Sequence, residues 1–327
     1  MSMEQDHFRA MNTEIDVALM EGRPEDEVQS LHEIRNWFVF VEGRFSRFLP
    51  ESELSRLNAS RGFPVRVSSV MLEVLSHAVE YKRLTKGIYE PCILRALEYA
   101  GYDRSFETIE NYGGFGLPQS AMLEAPSYRS LERSWTTYPI FNLARLSRGT
   151  SLDLGGLVKG WSVDRIVSWL MVGGIEAGQV NAGGDLKVWG WGQNDRPAWE
   201  VDIPAPWTSR GQKKPDILAT AQLKQGAAAT SGTTKRRWKT PSGVMHHLID
   251  PRTGFPADSD VMQCTVLGAS VADAEIVAKT ICILGSKEGE AWAKEAFPGY
   301  DALLVTADKS VRFVHGKGSN VCWKEAR

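Results

Sequence analysis

Two kinds of apolar periodicity alternate along the chain, and their order restricts the fold more than any other feature. Residues 24 to 47 carry apolar side chains at spacings of three and four, which is typical of an amphipathic helix: Leu31, Ile34, Phe38, Val41 and Phe45. Residues 138 to 153 instead alternate apolar and polar side chains around Gly149-Thr150, which predicts a β-hairpin. Because helices and antiparallel hairpins occur in mixed order, we expect an α+β fold.

The same two patterns recur towards both ends of the chain. A second helix is predicted from Ser68 or Ser69 to Gly87, with one apolar stripe: Met71, Val74, Leu75, Ala78 and Val79. Further helices are predicted at 161–170 and 271–284, each followed by glycine, and short strands near 179–180, 227–232, 246–254 and 262–268. His77 lies off the stripe of its helix and is expected at the surface.

Length and charge limit the classes of function. At 327 residues the chain is expected to be a single large domain of two intimately packed halves, divided near 130–150. A net charge of -2, with no long basic run, excludes a typical nucleic-acid footprint. The chain has no run of about 18 apolar residues, and its beginning lacks the pattern of a signal peptide or lipobox, so we expect a soluble, cytoplasmic protein without a membrane segment. The four cysteines, which lie far apart, are expected to be reduced core thiols.

Two glycine pairs are candidates for a phosphate site, because backbone without Cβ atoms approaches a phosphate closely. LDLGGLVKGW (152–161) leads into a predicted helix start, where N–H groups favour an anion, and NAGGDLKVWG (181–190) precedes Asp185. Neither segment fits a Rossmann or P-loop motif, and such pairs form tight turns more often than phosphate cradles. Asp153 and Asp164 can equally be a helix cap and a solvated helix residue.

Two later segments carry further polar chemistry. AAATSGTTKRRW (227–238) places hydroxyls beside cations, a combination that suits phosphate oxygens but also suits the polar tip of a hairpin. In HHLIDPRTGFP (246–256), His247 is a candidate general base near neutral pH, although a histidine that leads into a turn is more often structural.

It is the order of these segments that is specific. The series FRAMNTEI, SRFLPESELSRLN, GIYEP, LEYAGYDRSF, LDLGGLVKGWSVD, NAGGD, ATSG and HHLIDPRTGFP resembles the ApbE family of FAD:protein FMN transferases from about Phe8 to Gly285. The resemblance implies an α+β fold with FAD held between two halves of the chain and its diphosphate near a divalent metal, usually Mg²⁺. It also implies the reaction, in which a Ser/Thr hydroxyl of a target flavoprotein attacks the FMN phosphorus and AMP leaves.

The resemblance also assigns residues. Positions expected to contact FAD are Met11, Phe48, Ala100, Gly101, Tyr102, Asp153, Lys159 and Ile249. His247 matches the histidine expected to deprotonate the incoming hydroxyl, and Gly156 matches a position whose carbonyl binds the metal. Asn181, Gly183, Gly184 and Asp185 are expected to support the site, and Asp250 and Arg252 to shape the neighbouring turn.

The chain departs from the family pattern at the metal positions. The family helix reads Asp-Ala-x-x-Thr, and counting back from Gly285 places Glu275 at the Asp and Lys279 at the Thr. An ammonium does not ligate Mg²⁺, so we expect a Glu275–Lys279 ion pair, with Lys279 replacing part of the charge of the metal. The alternative register uses Asp273 and Thr280, which would retain oxygen ligands at a shifted location. A milder departure is Asn12, where the family commonly has glycine.

Three reactions are consistent with these residues. The first is transfer of FMN to a protein hydroxyl. The second is FAD pyrophosphatase activity, in which water replaces that hydroxyl and FMN and AMP are released. The third is non-catalytic flavin binding, which the altered metal helix favours and the presence of His247 disfavours.

Overall fold

The computed structural model describes residues 3–20, 24–111, 135–192, 198–208, 215–241, 243–319 and 321–325. Its helices are α1 (Pro24–Phe45), α2 (Glu53–Asn58), α3 (Ser69–Leu84), α4 (Leu94–Tyr99), α5 (Phe106–Asn111), α6 (Val158–Val172), α7 (Val271–Leu284) and α8 (Ser286–Ala296). Short 3-10 turns lie at Pro91–Ile93 and Pro139–Phe141. Within these ranges, no helix is both long and apolar enough to cross a membrane.

The strands complete the chain order. They are β1 (Met3–Ala10), β2 (Thr13–Met20), β3 (Val65–Arg66), β4 (Trp135–Tyr138), β5 (Leu143–Leu146), β6 (Ala177–Ala182), β7 (Asp185–Trp189), β8 (Trp199–Pro204), β9 (Ile217–Leu223), β10 (Gly226–Gly232), β11 (Arg237–Thr240), β12 (Gly243–His246), β13 (Ile249–Asp250), β14 (Phe255–Pro256), β15 (Val261–Gly268), β16 (Asp301–Thr306), β17 (Val311–Val314) and β18 (Cys322–Glu325). All neighbouring strands pair antiparallel. The predicted α+β class is therefore confirmed.

The first of two compact units comprises Met1–Val39, Lys159–Lys235 and Ser259–Arg327. An eight-stranded sheet of order β1-β2-β6-β7-β10-β15-β16-β17 forms its centre. Alternate residues of a strand point to opposite faces, so Val17 and Leu19 pack with α6, whereas Ala18 and Met20 pack in a second apolar cluster with the small sheet β18-β9-β8. Helix α7 packs against β10 and β15 of this sheet.

The second unit comprises Phe40–Val158 and Arg236–Asp258. It contains helices α2 to α5, the three-stranded sheet β3-β5-β4 and the two-stranded pairs β11-β12 and β13-β14. Its aromatic core cluster contains residues of α4, the loop after it, α5, β11 and β13: Ala96, Leu97, Ala100, Tyr102, Ile109, Trp238 and Ile249.

Most predicted helices are confirmed. Helix α7 spans the predicted 271–284, and α3 begins after the Ser68 cap, whose side chain accepts the N–H of Met71. His77 is exposed, as predicted. The prediction for Val79 is wrong because that side chain lies one residue beyond the buried stripe and is 53% exposed.

The hairpin prediction for residues 138 to 153 is wrong in its turn. Strands β4 and β5 pair through the turn at Pro139–Phe141, and Asn142 completes it in the left-handed conformation at φ 50°. Proline fixes one turn position and asparagine tolerates positive φ, so these residues provide the turn, whereas Gly149-Thr150 lies beyond the second strand.

All four cysteines are free thiols, as predicted. Cys264 and Cys282 are buried in the core, whereas Cys92 is half-buried and Cys322 is exposed on β18. The prediction of a core location is therefore wrong for Cys322.

Candidate active site

Arg47 contacts both the aromatic cluster of the second unit and the polar groups beside it. Its Nε lies 2.7 Å from Asp153 Oδ2, and its Nη2 donates to the Tyr102 carbonyl at 2.7 Å. The guanidinium also stacks on Phe48 at 4.2 Å and on Tyr102 at 4.7 Å from the ring centroids. Because only 6% of the Arg47 side chain is exposed, this cation is held in one orientation by its neighbours.

Tyr102 lies between two other aromatic rings. Its centroid is 5.3 Å from that of Trp238 and 5.9 Å from that of Phe48. Trp238 Nε1 donates to the Ala100 carbonyl at 2.7 Å, which fixes the chain just before Gly101, whose φ is +93°. Burial raises the pKa of the Tyr102 phenol, although Arg236 and Arg47 oppose the shift. The phenol is therefore a neutral hydrogen-bonding group near pH 7.

The structure brings together most of the predicted flavin positions of this unit. Phe48, Ala100, Tyr102 and Ile249 belong to one apolar cluster, and Arg47 links Asp153 to it. An aromatic and aliphatic wall with a few fixed polar groups is the usual lining of a cofactor site.

His247 is half-buried in the bend between β12 and β13. Met245 and Ile249, two positions before and after His247, both pack in the aromatic cluster. His247 therefore lies at the edge of that cluster. Its neighbour His246 has a structural role, because its Nε2 lies 3.1 Å from the Ala257 carbonyl and its Nδ1 accepts the Leu248 N–H.

The turn after β13 is shaped by Asp250 and Arg252, as predicted. Asp250 accepts the backbone N–H of Arg252 at 2.8 Å and pairs with its guanidinium through Nε and Nη2. The Asp250 carbonyl accepts the N–H of Gly254 at 2.8 Å. These bonds set the direction in which the chain leaves β13 towards β14.

Asp153 begins the turn that leads into α6. One carboxylate oxygen of Asp153 accepts the N–H of Gly155 at 2.9 Å, which caps the turn. The other oxygen forms the ion pair with Arg47. Gly156 lies half-buried in this turn. Its predicted role as a carbonyl ligand stays a prediction.

In the first unit, Lys159 at the start of α6 joins two buried acids. Its ammonium is hydrogen-bonded to Asp185 and lies 3.4 Å from Glu275 Oε1. Asp185 also accepts the N–H of Thr230 on β10 at 3.2 Å. The second glycine segment therefore provides a carboxylate that orients Lys159.

Glu275 on α7 is surrounded by donors. Oε2 accepts the N–H of Gly160 at 3.1 Å, and Lys279 Nζ lies 3.8 Å from Oε1, which agrees with the predicted ion pair. Burial raises the pKa of Glu275, but Lys159 and Lys279 outweigh it and hold the pKa below its ordinary value. The carboxylate is therefore ionised between two ammonium groups.

The contact between α6 and α7 depends on Gly160. A Cβ at this position would lie 2.8 Å from the Ala272 backbone, so only glycine lets the two helix starts approach this closely. Asp164, one turn later, accepts the N–H of Ala272 at 3.0 Å and the Ser270 hydroxyl at 2.9 Å. The interpretation of Asp164 as a solvated residue is wrong, because its carboxylate caps α7.

Asp273 and Thr280 of the alternative register have separate surroundings. The Tyr300 hydroxyl donates to Asp273 at 2.7 Å. Thr280 is fully buried, and its hydroxyl oxygen has no hydrogen-bond partner among the residues described. The Thr280 hydroxyl therefore makes no hydrogen bond to Asp273, and this register stays a prediction.

Both two-residue turns of the central sheet adopt left-handed backbone. Met11 and Asn12 join β1 to β2 at φ 53° and 57°, and Gly183 and Gly184 join β6 to β7 at φ 66° and 100°. Positive φ at both positions is typical of type I′ hairpin turns. Asn12 therefore adopts the conformation for which glycine is common, and Met11 sits at the turn with its sulfur 3.8 Å from the Ser162 hydroxyl.

The residues at the metal positions do not fit Mg²⁺. Magnesium prefers several oxygen ligands, whereas the Glu275 oxygen that faces Lys279 already lies near two ammonium groups. Across the described part of the chain, no group of three or more His, Cys, Asp or Glu side chains is arranged to hold a metal ion. Two ammonium groups, those of Lys159 and Lys279, lie at this location beside the carboxylates of Asp185 and Glu275.

Two residues of the site, Arg47 and Trp238, were not predicted from the sequence. Arg47 precedes Phe48 within the SRF segment, but nothing local indicated its pairing with Asp153. Trp238 ends the KRRW run, where the cations suggested a solvated hairpin tip, yet its ring is buried against Tyr102. Aromatic residues within a basic run were the available signal.

Comparison with known proteins gives consistent matches. The sequence model described as the ApbE family matches residues 11–304. A FAD:protein FMN transferase from Treponema pallidum is 28% identical over 95% of this chain and 86% of its own length. Another from Vibrio cholerae is 28% identical over 78% of this chain and 73% of its own length.

Solved structures match over almost the whole chain. The ApbE protein of Thermotoga maritima has a TM-score of 0.78 at 21% identity, covering 95% of this chain and 96% of that one. The flavin transferase ApbE of Vibrio cholerae has a TM-score of 0.76 at 22% identity, covering 97% of each chain. At these identities the likeness establishes the fold.

Proposed function

Because the chain belongs to the ApbE family, we propose that it is a FAD:protein FMN transferase. Relatives with this activity in their names align over most of the chain. The observation that carries the proposal is the assembly of Phe48, Tyr102 and Ile249 in one cluster, with Asp153 joined to it by Arg47. These are positions that the family resemblance assigns to FAD.

In the proposed reaction, a Ser or Thr hydroxyl of a target flavoprotein attacks the FMN phosphorus of FAD. The acceptor oxygen forms the new phosphoester bond, the bond from that phosphorus to the bridging oxygen breaks, and AMP leaves with the electron pair. His247 takes the hydroxyl proton, since imidazole is the usual base near neutral pH. The remaining requirement is positive charge at the phosphates.

We infer that Lys279 and Lys159 supply this charge in place of Mg²⁺. Their ammonium groups flank Glu275 at 3.8 and 3.4 Å, and Asp185 orients Lys159 from its other side. An ammonium group neutralises the charge of phosphate oxygens by direct hydrogen bonding, so no metal ion is needed between them. The reaction is therefore expected to proceed when divalent cations are removed.

The test is intact-mass analysis of a candidate acceptor flavoprotein after incubation with this protein and FAD, with magnesium or with chelator. Covalent addition of FMN in both conditions is the expected result. AMP release without an adduct would instead indicate FAD pyrophosphatase activity, and bound FAD without AMP release would indicate a flavin-binding protein. An adduct that forms only with magnesium would contradict the role of Lys279 while leaving the transferase intact.

The role of His247 is tested in the same assay. His247→Gln is expected to slow adduct formation by about a hundredfold or more, because it removes the proton acceptor. His77→Gln is the matched control, since His77 is an exposed imidazole on α3. Equal rates for the two variants would exclude His247 as the base.

A further inference from the structure

The sheet β3-β5-β4 of the second unit has exposed apolar side chains beside both ends of β5. Ile140 is 91% exposed and Phe141 70% exposed in the turn between β4 and β5, and Phe63 is 66% exposed in the loop before β3. The turn is fixed, because the Asn142 N–H donates to the Pro139 carbonyl at 3.1 Å. These side chains therefore project from an ordered part of the backbone.

Four arginines accompany the apolar residues, and all are exposed: Arg61, Arg66, Arg145 and Arg148. Arg66 pairs with Leu143 across β3 and β5, so Arg66, Leu143 and Arg145 share one face of the sheet. Arg145 Nε donates to the Gly62 carbonyl at 2.8 Å, and Arg148 Cγ lies against Gly62. The loop that carries Arg61 and Phe63 is thus held against β5 and the residues that follow it.

The two segments of sequence that carry these side chains contain charged residues of one sign only. Residues 59–69 and 135–152, which contain all seven side chains, include four arginines and no Asp or Glu. The whole chain, by contrast, has slightly more acids than bases, with a net charge of -2. A local excess of cations beside exposed apolar side chains does not follow from the overall composition.

We propose that this arginine-apolar surface, formed by Phe63, Ile140, Phe141 and the four arginines, binds the surface of an anionic lipid bilayer. Aromatic and aliphatic side chains partition into the boundary between headgroups and acyl chains, and cations near them attract anionic headgroups. A projecting turn suits insertion between headgroups, whereas a protein partner would have to supply a pocket for Ile140. The proposal concerns location and is independent of the proposed transferase reaction.

The experiment is co-sedimentation of the full chain with vesicles of phosphatidylglycerol and phosphatidylcholine, compared with vesicles of phosphatidylcholine alone. We expect binding to the anionic vesicles that weakens as salt is raised, because screening reduces the attraction of the arginines. Ile140→Ser with Phe141→Ser is expected to lower the partition coefficient by about tenfold or more. Arg66→Gln with Arg148→Gln is expected to lower it by roughly tenfold.

Matched control variants distinguish binding through this surface from non-specific binding to vesicles. Val172→Ser replaces an apolar side chain that is 90% exposed on α6, and Lys224→Gln with Lys287→Gln removes two exposed cations from elsewhere. Neither control is expected to change vesicle binding, and thermal unfolding checks that every variant is folded.

The proposal is overturned if the unaltered chain does not sediment with anionic vesicles, if it binds neutral vesicles equally, or if the surface and control variants behave alike. Absence of vesicle binding together with slower FMN transfer to an acceptor by the Ile140→Ser and Phe141→Ser variant would also overturn it, and would assign the surface to a protein partner.

Discussion

The Lys279 ammonium lies 3.8 Å from Glu275 Oε1, one turn away on α7. The family resemblance assigns to these two positions an Asp and a Thr at the metal, and in this chain an ion pair lies there. The Glu275 carboxylate stabilises the mostly buried Lys279 ammonium, because a nearby opposite charge favours the ionised form. The pair can therefore be converted back as a unit.

Glu275→Asp combined with Lys279→Thr is expected to create a requirement for magnesium. Removing the ammonium frees carboxylate and hydroxyl oxygens for a divalent cation and removes the charge that replaced it. Chelator should then slow FMN transfer by about tenfold or more in the double variant, while leaving the unaltered chain unaffected. Lys287→Thr on the exposed side of α8 is the control. A double variant that is indifferent to chelator would refute charge replacement.

Arg47→Met is expected to lower the free energy of unfolding by about 3 kcal/mol, because it leaves the Asp153 carboxylate, 16% exposed, without its cation. The comparison is Arg83→Met, which breaks an ion pair with Glu80 whose side chains are 68% and 51% exposed and should cost less than about 1 kcal/mol. Urea denaturation measures both. Equal losses would mean that the Arg47 pair is as solvated as the surface pair.

The contrast between these two pairs shows what the sequence could predict. The Arg83–Glu80 pair follows from helical spacing, as does the whole of α7 from its capping serine to Gly285. The Arg47–Asp153 pair joins distant parts of the chain, and no local pattern specifies such a contact. The flavin positions were therefore predicted from family resemblance, and the residues that hold them together were found only in the structure.

The misplaced hairpin turn has a local cause. Alternation of apolar and polar residues continues through both Asn142 and Gly149, so periodicity alone does not choose between them. Pro139 and the left-handed Asn142 decide in favour of the first turn, because together they supply the fixed and the positive φ values that a tight connection uses. Turn chemistry, read residue by residue, would have located the strands better than their alternation did.

Gly160→Ala is expected to destabilise the fold by about 1–3 kcal/mol, since the new Cβ would meet the Ala272 backbone at 2.8 Å and push α6 from α7. Gly43→Ala in α1 is the matched control, because a Cβ there has nothing within 4 Å. Alanine at Gly43 should be neutral or stabilise by up to about 1 kcal/mol, through the helix propensity alone. Thermal or urea unfolding of the two variants distinguishes close approach from propensity.

The stability that His246 contributes is expected to depend on pH. Burial lowers the pKa of His246, with Arg237 acting in the same direction and the Ala257 carbonyl opposing them. The unfolded chain therefore binds this proton more readily than the folded one, so stability is full above the ordinary pKa of about 6.5 and is lost as the pH falls through the folded pKa. The difference in unfolding free energy between the unaltered chain and His246→Gln should shrink below about pH 6.5. A difference in unfolding free energy that stays constant with pH would contradict a lowered pKa of His246 in the folded chain.

Cysteine reactivity is expected to follow burial. Burial raises the pKa of Cys282 to about 12, and the pKa of Cys264 also lies well above its ordinary value, so neither provides a thiolate near pH 8. Cys322 is exposed on β18 and should be the first thiol that iodoacetamide modifies in the native protein. Peptide mass mapping after brief labelling, with a urea-unfolded sample in which all four thiols react, measures the order. Because the thiols of Cys264 and Cys282 are enclosed between β15 and α7, their labelling requires that this packing opens, and rapid native labelling of Cys282 would show that α7 separates from the sheet.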